Sequence, residues 1–112
     1  MSRGRSEPEI SLGRRLSNPD AGERLKLLMD LRYDDDVPDP EPWLERLSRD
    51  AEPAVRAGAA RVAVEVAAER KQAVPVWVGR LADIDPDATV RRVAGFFRAL
   101  PTQGGVRQAG GP

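Results

Sequence analysis

Apolar residues recur along most of this chain at helical spacing. From residue 53 to residue 66, Val55, Ala59, Val62 and Val66 fall on one stripe of a helix, and Pro53 stands in the first turn, where a missing amide is harmless. Further on, Pro86 and Asp87 open a segment whose apolar set is Val90, Val93, Ala94, Phe96, Phe97 and Leu100, and Pro101 stops it. Pro19 and Asp20 introduce a third stripe of Leu25, Leu28 and Leu31. A shorter helix precedes each of these, over 8–16, 40–49 and 71–83, the last with Pro75 near its start. No window keeps up the strict alternation of a half-buried strand, and the valine-rich residues 62–66 sit inside an alanine-rich helical run. The pattern predicts an all-α protein.

The short helices also repeat in sequence. LGRRLSN at 12–18, WLERLSRD at 43–50 and WVGRLADID at 77–85 each set an apolar residue before Arg and Leu, giving the pairs Arg15-Leu16, Arg46-Leu47 and Arg80-Leu81. Downstream, six positions separate Asn18 from Arg24, Asp50 from Arg56, and Asp85 from Arg91. The last two copies agree further, Pro53-x-Val55-Arg56-x-x-Ala59 beside Pro86-x-x-x-Val90-Arg91-x-x-Ala94.

With these motifs the chain resembles the HEAT-repeat family of helical solenoids over residues 8–101. The resemblance implies a short right-handed α-solenoid of five to six helices in units at 8–33, 40–69 and 71–101. It also implies a structural ladder, in which the Asp of each interhelical turn and the Arg six residues later pair along the stack. Asp50, Arg56, Asp85 and Arg91 match its residue types, whereas the first unit has Asn18 with Arg24, and Leu27 where the others have Ala59 and Ala94. That unit reads as an atypical terminal cap. An acidic, proline-rich linker spans 34–42, and residues 1–7 and the glycine-rich 102–112 are expected to be disordered.

Composition narrows the chemistry. The 112 residues suffice for one domain, and the absence of Cys and His removes thiolate chemistry, zinc–sulfur sites and the commonest general base. The remaining carboxylates, Tyr33 and few hydroxyls come without a phosphate-cradling glycine motif, so no catalytic residue, cofactor or metal site is expected. The opening MSRGRSEPEI lacks the apolar core of a signal peptide, and no apolar run approaches the ~20 residues that span a bilayer. The expectation is a cytoplasmic protein without a membrane role. Net charge is zero but unevenly spread, +2 over 1–33, −6 over 34–52 and +4 over 53–112. That balance disfavours nucleic acid, which basic proteins bind by displacing counterions.

Two regions are candidates for binding a partner. In DDDVPDPEP, Asp34, Asp35 and Asp36 lack the alternating ligands and turn glycine of a calcium loop, so they read as a solvated loop or, with Tyr33, an acidic contact. Aligning the long helices on their ladder Arg sets Val93, Phe96 and Leu100 against Gly58, Arg61 and Glu65 of the preceding unit. The last helix is the more apolar, where a terminal repeat should be the more polar. Trp43 and Trp77 recur in register, which favours core packing. The expected function is a non-catalytic protein–protein interaction module, an adaptor or accessory subunit, binding a protein or a second copy through the C-terminal helix pair. The alternative is a nucleic-acid-binding HEAT-like protein that uses Arg61, Arg92 and Arg98.

Overall fold

The computed structural model describes residues 7–34, 37 and 39–100, with side chains from Leu12 onward. Residues 1–6 and 101–112, and Asp35, Asp36 and Pro38 of the linker, lie outside the described residues, so the disorder expected at the termini is addressed only at Glu7. That residue, expected to precede the fold, opens the first helix. The described chain is all-helical: α1 Glu7–Leu16, α2 Ala21–Tyr33, α3 Glu41–Leu47, α4 Pro53–Arg70, α5 Val76–Ile84 and α6 Ala88–Ala99.

Local chemistry sets the helix starts. Asp20 and Asp87 cap α2 and α6, accepting from the amides of Gly22 and of Thr89 and Val90 respectively. Pro53 occupies the first turn of α4. The helix expected over 71–83 begins only at Val76, because α4 ends in Lys71, a left-handed residue (φ 57°), and Val74 precedes Pro75, whose ring disfavours helical backbone before it. Similarly, the helix expected over 40–49 is α3, Glu41–Leu47.

Packing follows chain order. α2, α4 and α6 form one layer, with α4 between its neighbours, while α1 lies on α2, α3 on α4 and α5 on α6. The residue three places after each ladder Arg, Leu27, Ala59 or Ala94, is fully buried. In α2 this corrects the expected stripe: Leu27, Leu28 and Leu31 point inward, and Leu25 is exposed. The stripe of α4 is buried throughout, joined by Ala60, Ala63, Val64 and Ala67. α2 and α4 approach closely at Gly58, where an added Cβ would lie 2.5 Å from Leu28 Cδ1. Trp77 is buried and donates from Nε1 to Glu41 Oε2 at 3.3 Å, tying α5 to the start of α3, while Trp43 packs half-buried on the same core.

Candidate functional site

The six-residue spacing places Arg24, Arg56 and Arg91 each at the fourth residue of α2, α4 and α6, about one turn in, within reach of the preceding turn. Arg24 donates from Nε to Asp50 Oδ2 at 2.6 Å and from Nη2 to Oδ1 at 2.9 Å, while its Nη1 reaches back to the Asn18 carbonyl at 2.6 Å. Arg56 repeats the arrangement with Asp85, at 2.8 and 3.0 Å, and with the Asp50 carbonyl at 2.8 Å. Arg91 makes the backward bond, from Nη1 to the Asp85 carbonyl at 2.6 Å. Each turn residue also accepts a backbone amide two places on: Asn18 from Asp20, Asp50 from Glu52, Asp85 from Asp87.

These forks are charge-assisted and bidentate. The Arg56 guanidinium holds the Asp85 carboxyl below the usual carboxylate range, burial opposes it, and the Asp87 amide adds to the lowering. Arg24 and Arg56 are held above the ordinary guanidinium value, mainly by their bonds to Asp50 and Asp85, against the opposing effect of burial. Asp50 and Asp85 thereby tie α2 to the turn before α4, and α4 to the turn before α6.

The residues proposed for partner contact fall on the two helices that flank α4. On α6, Phe96 is 60% exposed and Leu100 38%, and the Phe96 ring stands edge-on to half-buried Phe97 with centroids 5.0 Å apart. Val93 is half-buried, at the register position where Gly58 of α4 receives Leu28. On α2, Tyr33 is 66% exposed, with the Arg32 guanidinium 4.8 Å from its ring centroid. Asp34 caps α2, its amide bonding the Asp30 carbonyl, while Val37 and Pro40 are buried and pin the linker to the body. Asp35 and Asp36 lie outside the described residues.

Ladder register sets Met29 of α2 level with the candidate contact residue Phe96. Five places after the Arg stand Met29, Arg61 and Phe96; nine places after stand Tyr33, Glu65 and Leu100. Met29 is 43% exposed, and Arg61 Nη2 approaches its sulfur at 3.9 Å. Arg32 bridges from α2 to Glu65 and Glu69 of α4 at 3.3 and 2.8 Å. At these two register positions α2 and the α6 segment thus carry apolar or aromatic side chains, and α4 carries charged ones. The equivalence of Met29 with Phe96 was readable from the Arg alignment, but the comparison of the last two units alone left α2 out.

Of the arginines considered for nucleic acid, Arg61 lies 3.9 Å from Glu65 and Arg98 3.3 Å from Asp83, so two of the three already face carboxylates. A cleft of about 380 Å³ between α3, α4 and the start of α5 is lined by Glu41, Leu44, Val66, Arg70, Val74 and Val76, among others. Among the described residues no group of three or more carboxylates is arranged to hold a metal ion. No described helix is long and apolar enough to cross a membrane. Compared with protein-family models, with curated proteins and with solved structures, the chain matches none.

Proposed function

We propose that this protein is a short HEAT-like solenoid of three helix pairs whose activity is to bind another protein, as an adaptor or accessory subunit, without catalysis. The observation that carries this reading is Phe96: a phenylalanine left 60% exposed beside Phe97, on the last helix of the layer, at a position where α4 carries Arg61. An exposed aromatic next to a second one and to Leu100 is the kind of anchor that dominates protein interfaces. The ladder supports the solenoid part of the reading, since the same Arg fork joins α2 to the turn before α4, and α4 to the turn before α6.

The test is affinity capture from nuclease-treated native lysate at moderate salt, comparing wild type with Phe96→Asp. A specific protein enriched by the wild type and lost at least about tenfold from a folded Phe96→Asp is the expected result. Equal capture by both proteins would remove the α6 anchor. Salt-dependent retention of DNA or RNA, unaffected by the substitution, would favour the nucleic-acid alternative.

A further inference from the structure

The ladder has a direction, and among the described residues its Arg91 rung is half made. Arg24 and Arg56 each use Nη1 for the carbonyl of their own turn and the Nε/Nη2 edge for the carboxylate of the following unit. Arg91 makes the first bond, and among the described residues no carboxylate meets its other edge. Residues 101–112 contain no Asp or Glu. The first interhelical turn carries neutral Asn18 where the later two carry Asp50 and Asp85.

The surface around Arg91 supports the same reading. Four places after the ladder Arg, Leu28 and Ala60 are buried, whereas the equivalent Gly95 has nothing within 4 Å of where a Cβ would stand. Arg98, in the position of buried Leu31 and Ala63, is half-exposed and paired with Asp83, and Arg92 is exposed. The flank is cationic, offers little side-chain bulk at its centre, and has Phe96 next to it.

We propose that this flank docks a helix pair of a different protein, one whose interhelical turn presents an Asp or Glu to the Nε/Nη2 edge of Arg91. A second copy stacked head-to-tail fits less well, because its leading turn would offer Asn18, which cannot form the charged fork. The inference rests on the protein-binding reading above and adds the chemistry of the partner.

The experiment places a photo-crosslinking amino acid at position 95, where there is room for it, and irradiates the full-length chain in native lysate. Crosslinked peptides are then mapped in wild-type, Arg91→Gln and Phe96→Asp backgrounds. Gln removes the charge and, being shorter, the bond to the Asp85 carbonyl as well, so a thermal melt checks that each variant is folded. The expected product is a peptide of another protein containing an acidic residue between two helices, its yield falling about tenfold or more in Arg91→Gln. A yield unchanged by Arg91→Gln but lost in Phe96→Asp would overturn the rung while leaving the protein-binding reading intact. A product formed with a second copy of this chain would overturn the proposed occupant. Absence of any product at position 95 would overturn the docking flank, and if capture by the wild type also failed, the protein-binding reading would go with it.

Discussion

α4 and α6 follow one sequence template and end up in different surroundings. Both begin near a proline, carry Val-Arg in the first turns and place a small residue three positions after the Arg. α4 lies between α2 and α6 and buries Val55, Ala59, Val62 and Val66 together with its alanines. α6 fully buries only Val90 and Ala94, and although Phe97 packs half-buried on the core, Phe96 and the capping Leu100 face outward. Repeated local sequence therefore specifies the helix and its inner stripe, while position in the layer decides what the remaining faces meet.

The largest expected contrast comes from placing a carboxylate on each helix. Val62→Asp puts a charge at a fully buried position of α4 and should cost more than about 4 kcal/mol, unfolding the protein near room temperature. Phe96→Asp on α6 should cost under about 1 kcal/mol by urea denaturation. Comparable losses would mean that α6 is covered within the chain.

Next come the rungs. Arg56→Gln leaves the Asp85 carboxylate, 3% exposed, without its bidentate partner and should cost about 2 kcal/mol. Arg91→Gln removes only the bond to the Asp85 carbonyl and should cost less, about 1 kcal/mol. Equal effects would show that Arg91 already has a carboxylate partner in this chain.

Acid should act on the same pair, less strongly than removing the arginine, since a protonated Asp85 still accepts a hydrogen bond. Because Arg56 lowers the folded pKa of Asp85, the unfolded chain takes up the proton first, near the ordinary value of about 3.9. The contribution of Asp85 is thus complete above that pH and is lost as pH falls through its lower folded value. Unfolding midpoints of Asp85→Asn should accordingly decline less than those of wild type between about pH 4 and pH 2.

The smallest contrast concerns two helical glycines. Gly95→Ala meets open space and should stabilise by about 0.5–1 kcal/mol, as Ala does over Gly in a helix. Gly58→Ala should gain nothing, because its Cβ would force Leu28 to move. A thermal melt of the two variants distinguishes the bare helix from the packed one.

Much of this arrangement was legible in the sequence because it rests on local or periodic signals. Helical spacing of Val55, Ala59, Val62 and Val66 marked the inner side of α4, and the fixed six-residue offset singled out the rung residues. What escaped depended on neighbours distant in sequence. The choice of Leu27 over Leu25 as an inward residue is set by what α2 packs against, and the periodicity of one helix admits either stripe. The start of α5 was missed because Glu69, Arg70, Lys71 and Gln72 favour helix on propensity, while the left-handed Lys71 and the Val74-Pro75 step override it. At the candidate site, the apolar excess of α6 was visible, but Tyr33 was grouped with the acidic linker when its register equivalent is Leu100.

The hydrogen bond from Trp77 to Glu41 also supplies an optical gauge. The two indoles are the only ones in the chain and occupy equivalent positions in consecutive units, one buried on α5 and the other half-buried on α3. Their emission should differ in wavelength and in quenching by iodide, with Trp43 the more accessible. Replacing each tryptophan in turn with Phe gives two single-probe proteins, which report separately on the second and third helix pairs. Coincident unfolding curves would mean that the layer melts as one cooperative body, and separated curves that its last pair opens first.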